Sequence, residues 1–463
     1  MSGDLHYASL LKVSQLIKTR QASSVEVTQA LLDRIARLDS ALNSFLLVTS
    51  ESALAEARQA DKEIAAGQWR GPLHGVPLGL KDLLYTKGVP STAGMSIHKD
   101  VIPTYDATAV ARLKLAGAVT IGKLHMTEGA TMQHHPSLPR PDNPWLSGYW
   151  TGVSSSGSGV AAAAGLCYGA LGSDTGGSIR MPSAACGLSG IKPTWGRVSR
   201  HGVVALAETF DHIGPMARTV SDAAAILRVI AGADPHDPTA LPDPTPDYLV
   251  GLGAGIADLT IGVDWSFATE GVDPQMATAF TAAVAVLESL GATIRPIRFP
   301  PMPIAEVMAV VSAEVAAAHV ETYPQRASEY GPALVEMLEG GWAVTGVGAA
   351  RGNVARLNFA GALAKVFTEV DVIATPTLPR GAPRWDDVEV MDMGALGASL
   401  MRFTFAFNMS GSPTLSLPCG TDDKGLPLSL QLIGRHLAEA VICRAGHAYQ
   451  TATDHHTRHP ALD

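Results

Sequence analysis

Residues Gly152 to Met181 read GVSSSGSGVAAAAGLCYGALGSDTGGSIRM and hold two serine–glycine clusters joined by an alanine-rich segment. Two of the serines, Ser154 and Ser178, lie 24 positions apart. Glycine at this density makes a poor core, because each glycine loses more backbone entropy on folding than any other residue. A Gly-Gly pair directly before Ser178 instead lets the backbone approach a ligand closely. The pattern indicates a hydroxyl nucleophile beside exposed backbone N–H groups.

The composition is that of a large globular protein and does not indicate a nucleic-acid-binding or membrane protein. The chain has 463 residues, of which 46% are hydrophobic and 17% charged, enough for a sizeable core. The net charge of −9 and the absence of Lys/Arg runs argue against nucleic acid as a partner and favour a neutral or weakly polar small substrate. The sequence suggests neither a signal peptide nor a membrane span. Four scattered cysteines without a CxxC pair predict a reduced, cytoplasmic setting.

Strand and helix patterns alternate along the chain and predict an α/β protein with a large sheet. Ser23 and Glu26 form a capping-box pattern at the start of a helix, and residues 1–65 read as mainly helical. The Pro- and Asp-rich stretch 232–248 reads as a surface crossover within one domain. Further predicted elements are strands within 73–84, at 119–122, 259–263 and 370–375, and helices at 107–118 and 304–320.

A serine nucleophile needs a base within hydrogen-bond reach. The chain has no GxSxG elbow and no evident order of serine, acid and histidine, so a Ser-His-Asp site is not favoured. A buried lysine can serve as the base, because desolvation lowers its pKa. Lys81 follows the apolar run Val76 to Leu80 and fits this role. The competing interpretation, which is the more common one for a lone lysine, is a strand-end lysine paired with Asp82.

Other local patterns are weaker evidence for a function. Ser189-Gly190-Ile191-Lys192 matches the short SxxK pattern but lacks a KTG companion. The histidines at 134–135 and 455–459 lack carboxylates at ligand spacing, so we expect loop and tail residues and no metal. No Walker A loop or GxGxxG after a strand suggests a nucleotide cofactor, and we expect none. The small residues before Ser178 predict a turn whose N–H groups bind an anion, as an oxyanion hole requires.

At this point the chain resembles the amidase signature family of serine hydrolases. The resemblance rests on several blocks in family order, and it assigns Ser189 and Lys192 to a structural block. It implies an amidase signature fold, in which a large mixed β-sheet is sandwiched between α-helices on both faces. It also implies one domain over 1–463, with N-terminal helices in 1–65, the catalytic core in 66–230 and the rest of the sheet and pocket-lining helices in 231–463. The matching blocks are VPLGLKD (76–82), GVSSSGS (152–158), GSDTGGSIRMPSA (172–184), GIKPTWGRVSRHG (190–202), DHIGPMAR (211–218) and the segment 407–420.

The resemblance also implies a Ser–cis-Ser–Lys triad. Ser178 resembles the nucleophile, Ser154 the bridging serine after a cis peptide bond, and Lys81 the base. The backbone N–H groups of Thr175, Gly176, Gly177 and Ser178 would form the oxyanion hole. Asp174 and Arg180 would be charges that order this loop.

Family position and local character suggest a substrate pocket. The helix 306–320 is included, although the more common interpretation of Val307, Val311 and Val315, given their helical apolar spacing, is that they are ordinary core residues. Three positions depart from the usual family pattern: Val153 and Ser156 replace glycines, and Met95 stands where a small residue is common. The pocket residues are Met126, Thr127, Gly129, Thr131, Trp342 and Thr377.

The function implied is hydrolysis of small, hydrophobic or aryl amides through an acyl-enzyme, with carbamates (urethanes), anilides and esters as extensions. Three alternatives remain open. One is an A-type subunit of a glutamine-dependent tRNA amidotransferase, and another is an allophanate- or malonamide-type hydrolase. The third is a non-catalytic binding module that keeps the fold. We expect a monomer or homodimer in the cytoplasm.

Overall fold

The computed structural model describes residues 5–390 and 399–462. Within these ranges the strands form one mixed sheet of 11 strands, in the order β1-β3-β2-β4-β6-β5-β10-β11-β9-β7-β8. Strand β2 runs parallel to β3 and β4, and β7 runs parallel to β8 and β9, while the other neighbours are antiparallel. The strands are β1 (Phe45–Val48), β2 (Pro77–Lys81), β3 (Val119–Leu124), β4 (Ala170–Asp174), β5 (Ser189–Lys192), β6 (His212–Ala217), β7 (Thr260–Val263), β8 (Thr293–Pro296), β9 (Val372–Pro376), β10 (Thr414–Thr421) and β11 (Pro427–Gly434).

Helices lie in most of the connections between these strands, although β5–β6 and β10–β11 are joined without one. The second one starts as predicted, because Ser23 Oγ accepts from Glu26 N at 3.0 Å and the Glu26 carboxylate accepts from Ser23 N at 2.8 Å. The helices are α1 (Leu10–Lys18), α2 (Ser24–Leu42), α3 (Ser50–Ala65), α4 (Thr108–Leu115), α5 (Ser156–Ala163), α6 (Arg180–Cys186), α7 (Val220–Ile230), α8 (Trp265–Thr269), α9 (Pro274–Ser289), α10 (Ile304–Ala318), α11 (Pro332–Trp342), α12 (Gly346–Val366), α13 (Trp385–Val390), α14 (Ala406–Met409) and α15 (Glu439–Ala452).

Helices cover both faces of the sheet. A Cβ placed on Gly190 of β5 would collide with Ser183 of α6, so this position faces α6. Gly190 pairs with Ser416 of β10, and paired residues point to the same face. The preceding residue, Leu415, points to the opposite face, where it packs against Gly446 of α15. The predicted α/β architecture, a large mixed sheet between helices, is confirmed.

The observed elements are shorter or shifted relative to several predictions. The strand predicted within 73–84 spans only Pro77–Lys81, because a turn closed by His74 N–H on the Gly71 carbonyl occupies its start. Strand β3 extends two residues beyond the predicted end, since it pairs with β2 as far as Leu124. The stretch 232–248 contains no helix or strand and leads from α7 to β7. The Arg197 guanidinium holds it by donating to two of its backbone carbonyls at 2.8 and 2.7 Å.

Candidate active site

Lys81 lies at the end of β2 and reaches three serine hydroxyls. Its Nζ lies 2.6 Å from Ser154 Oγ, 2.9 Å from Ser155 Oγ and 2.8 Å from Ser173 Oγ. Sheet topology explains Ser173, because β4 runs beside β2 in parallel and Ser173 lies near the end of β4. The Lys81 side chain is completely buried. Its amino group is therefore shielded from solvent and surrounded by serine oxygens.

Burial lowers the pKa of Lys81 to about 7, although the charges of Asp174 and Asp211 act in the opposite direction. A substantial fraction of this lysine is therefore neutral near pH 7 and can accept a proton. Asp82 does not pair with it. The Asp82 carboxylate lies 3.2 Å from Nζ of Lys123, on the neighbouring strand β3. The interpretation of Lys81 as a strand-end lysine paired with Asp82 is therefore wrong.

The first serine–glycine cluster forms a tight turn before α5. The Val153–Ser154 peptide bond is cis, as the family resemblance implies. Gly152 has φ +77°, and a Cβ there would lie 2.4 Å from the Pro182 backbone, so the turn requires glycine. Ser155, which the sequence analysis did not assign, donates from Oγ to the Ser173 carbonyl at 3.2 Å. Its position beside Ser154 was the available signal for Ser155. The contact of Ser173 with Lys81 depends on the pairing of β4 with β2, which the sequence analysis did not predict.

The second cluster forms the turn from β4 to α6 and carries Ser178. The Gly177 N–H donates to Asp174 Oδ1 at 2.8 Å, so it is already engaged. The N–H groups of Thr175, Gly176 and Ser178 have no acceptor within the described part of the chain. The predicted set of four oxyanion donors is therefore corrected to three in this conformation, because the Asp174 carboxylate takes the Gly177 N–H.

A buried ion pair orders this turn. The Arg180 guanidinium binds both carboxylate oxygens of Asp174, at 2.9 and 2.8 Å, and both side chains are inaccessible to solvent. Burial alone would raise the pKa of Asp174, but Arg180 holds it well below its ordinary range. Arg180 also donates to Asn408 Oδ1 at 2.6 Å, to Gln431 Oε1 at 3.0 Å and to the Thr404 carbonyl at 2.8 Å, which satisfies its remaining three donors. Asp174 and Arg180 thus have the loop-ordering role expected of them.

Ser178 lies in the wall of an apolar cavity of about 250 Å³. Among the described residues, its wall contains no charged side chain. The two threonines direct their hydroxyls away from it, because Thr131 Oγ1 donates to the Glu128 carbonyl and Thr175 Oγ1 to Asp211, both at 2.6 Å. The lining residues are Ala130, Thr131, Met132, Thr175, Gly176, Ser178, Met181, Leu206, Met308, Val311, Met337, Met401 and Phe405.

Only Thr131 of the six predicted pocket residues lies in this wall. Met126, Thr127 and Gly129 are buried in the segment that leads to it. Trp342 ends α11 on the surface, 53% exposed, and Thr377 is buried beside Ser416 in the sheet, with their hydroxyls 2.9 Å apart. Five of the six predicted residues therefore lie in the core or at the surface and not in the cavity wall. Sequence position alone does not reveal in which direction a side chain points.

Only part of helix α10 lines the cavity, and the three residues that depart from the family pattern lie in three different environments. Val311 lines the cavity with Met308, whereas Val307 and Val315 are core residues. Val153 is buried in a small cluster that includes Trp150 and Met181. Met95 is buried as well, with its sulfur beside Gly129. Ser156 Oγ lies 2.9 Å from His134 Nε2. His134 is therefore half-buried and hydrogen-bonded, and the prediction of an exposed loop histidine is wrong.

No group of three or more His, Cys, Asp or Glu side chains in ranges 5–390 and 399–462 could hold a metal ion. No helix in those ranges is both long enough and apolar enough to cross a bilayer.

The fold and the site together are typical of serine hydrolases that cleave carbon–nitrogen bonds without a histidine base: a mixed sheet places a buried lysine among serines, beside a glycine-rich turn and an apolar cavity. The chain belongs to the amidase family, whose model matches residues 26–443. It is a hydrolase acting on carbon–nitrogen bonds.

Related proteins cover almost the whole chain. "Putative amidase AmiD" of Mycobacterium bovis is 47% identical over 98% of this chain and 96% of its own length. The A-type subunit of the glutamyl-tRNA(Gln) amidotransferase of Roseiflexus sp. is 40% identical over 99% of each chain. Among solved structures, a 6-aminohexanoate cyclic dimer hydrolase is 26% identical with a TM-score of 0.90, covering 100% of both chains. The native peptide amidase of Stenotrophomonas maltophilia is 28% identical with a TM-score of 0.82, covering 98% of this chain and 99% of its own.

Proposed function

We propose that this amidase hydrolyses small amides whose acyl group is apolar or aromatic, through an acyl-enzyme on Ser178. The observation that carries the proposal is the cavity beside Ser178, whose described wall residues include no charged side chain and whose threonine hydroxyls already donate elsewhere. A polar acyl group would lose its hydration there without new hydrogen bonds, which is costly. An apolar acyl group has no hydrogen bonds to water to lose, and the burial of its surface in the cavity is favourable.

Methionine supplies five of the lining residues. Its thioether is flexible and polarizable, adapts to differently shaped apolar groups and makes favourable contacts with aromatic rings. An aryl acyl group therefore fits the chemistry of this wall. The five methionines are Met132, Met181, Met308, Met337 and Met401.

The chemistry follows from the proton path. Neutral Lys81 accepts a proton from Ser154, with which it is hydrogen-bonded at 2.6 Å, and Ser154 accepts one from Ser178. The Ser178 oxygen attacks the amide carbonyl, and the N–H groups of Thr175, Gly176 and Ser178 bind the resulting oxyanion. The relay then returns the proton to the leaving nitrogen, the C–N bond breaks and an ester to Ser178 remains. Water hydrolyses that ester and regenerates the serine. Carbamates (urethanes), anilides and esters present the same carbonyl and are extensions of this activity.

Release of ammonia from glutamine, as an amidotransferase A-type subunit, is the second candidate, favoured by the 40% identity to such a protein. Glutamine carries an α-carboxylate and an α-ammonium, and the part of the cavity wall that the structure describes offers no counter-ion to either group. The same consideration disfavours the small polar substrates of allophanate- or malonamide-type hydrolases. We also propose a cytoplasmic location, supported by four cysteines that are all free, and a monomer or homodimer as the working form.

One experiment tests these proposals. The purified chain is assayed on anilides, aliphatic amides, carbamates, esters and glutamine, with Ser178→Ala as the inactive control. We expect the highest kcat/KM on amides or anilides of bulky apolar acids. The second candidate would replace this proposal if the chain hydrolysed glutamine and none of the other substrates, and did so only after amidotransferase partner proteins were added.

A further inference from the structure

Ser156 and His134 form a partly buried hydrogen bond that the proposed proton path does not use. Ser156 opens α5, two residues after Ser154, and its side chain is inaccessible to solvent. Its Oγ lies 2.9 Å from His134 Nε2. The family resemblance implies glycine at this position, and glycine has no side chain that could form this bond.

The bond closes one end of a segment that we call the pocket loop, residues 127–134. At the other end the Thr127 N–H donates to the Ser154 carbonyl at 3.1 Å. Both ends of the loop are thus attached to the short stretch that contains Ser154 and Ser156. Thr131 and Met132, which line the cavity, lie between these two attachments.

The surroundings of His134 favour a fixed, neutral ring. The ring packs edge-on against His125 and Trp385, with centroids 5.4 and 6.0 Å away. Burial lowers the pKa of His134 to about 3, so the ring stays neutral over the working range of pH. The Glu128 N–H also donates to the Gln133 carbonyl at 2.9 Å, which makes the pocket loop compact. The N-terminal half of the loop has further attachments, because the Gly129 N–H donates to the Ala93 carbonyl at 3.0 Å and the Gly331 N–H donates to the Glu128 carboxylate at 2.9 Å.

We propose that Ser156 is a positioning residue: through its hydrogen bond to His134 it holds the pocket loop, and so the Thr131–Met132 side of the cavity wall, at a fixed distance from the reacting serine. The inference rests on the proposed function. Loss of the bond frees the C-terminal end of the loop while Thr127 still holds the other end. The effect falls on acyl groups large enough to touch that wall and not on the chemistry at Ser178.

The test compares two p-nitroanilides with the same leaving group, one of acetic acid and one of a bulky aryl acid. Ser156→Ala and Ser156→Gly both remove the hydroxyl, and the glycine variant restores the usual family residue. Ser158→Ala is the matched control, because this buried serine of the same helix donates to the Leu171 carbonyl and does not contact the pocket loop. We expect both Ser156 variants to raise KM for the aryl substrate by roughly fivefold to tenfold, the effect of one lost hydrogen bond. The kcat values and the KM for the acetyl substrate should stay within about twofold, and Ser158→Ala should leave the ratio of the two KM values unchanged.

The outcomes separate this inference from the proposed function. Hydrolysis of neither anilide by the wild-type enzyme would overturn both. Hydrolysis of both, with equal changes of KM for the two substrates or none in the Ser156 variants, would overturn only the positioning role. A double variant that combines Ser156→Ala with His134→Gln gives a second test. If the two residues act through one hydrogen bond, its KM for the aryl substrate should be no higher than that of the more affected single variant. Additive effects of the two substitutions on KM would contradict the inference.

Discussion

Acidification should switch off hydrolysis, because the base that we propose must be neutral. With the Lys81 pKa at about 7, the neutral fraction is about 9% at pH 6, about half at pH 7 and about 91% at pH 8. The value of kcat/KM for an apolar anilide should therefore rise by roughly tenfold between pH 6 and 8, with a single inflection near 7. The assay is initial-rate hydrolysis of the anilide at constant ionic strength. A flat profile over this range, or an inflection near the ordinary lysine pKa of about 10.4, would refute the role given to Lys81.

A second titrating group could imitate this inflection, and one variant distinguishes it. Burial raises the pKa of Asp211 to about 6, and its carboxylate accepts a hydrogen bond from the Thr175 hydroxyl beside the oxyanion turn. The Asp211 charge also raises the pKa of Lys81. Asp211→Asn should therefore move the inflection to lower pH and leave its shape intact, since removal of a nearby negative charge disfavours the protonated lysine. Disappearance of the inflection in this variant would identify Asp211 as the titrating group.

Three further predictions concern the site and its support. Ser178→Ala should lower kcat by more than about 10³-fold with an unchanged thermal unfolding curve, and residual activity near the wild-type level would disprove the assignment of the nucleophile. Arg180→Met should reduce the free energy of unfolding by about 3–5 kcal/mol because it leaves Asp174 charged, buried and unpaired; urea denaturation measures this loss, and adding Asp174→Asn should recover part of it. Gly152→Ala should destabilise the enzyme and impair folding, as its Cβ would meet the Pro182 backbone at 2.4 Å; soluble protein with wild-type Tm would show that this turn can relax.

Local sequence patterns were sufficient to predict a feature when all the residues that form it lie in one segment of the chain. The capping box of Ser23 and Glu26 begins α2 as the pattern predicts, because both partners lie within one helical turn. The alternation of strands and helices predicted the α/β sheet. The cis bond before Ser154 followed from the family motif. By contrast, the pocket residues were mostly wrong, because the cavity wall is assembled from five separate parts of the chain: 130–132, 175–181, Leu206, 308–337 and 401–405.

The sequence by itself determined which residues could do chemistry: two serine–glycine clusters 24 residues apart and a lysine at the end of an apolar run. Tertiary structure decided how they meet. Because β2 lies between β3 and β4, Lys81 contacts serines 73 to 92 positions away, while Asp82 pairs with Lys123 instead. The base, the serines around it and the apolar wall become one site because long-range strand pairing, which no local pattern encodes, places their backbones side by side.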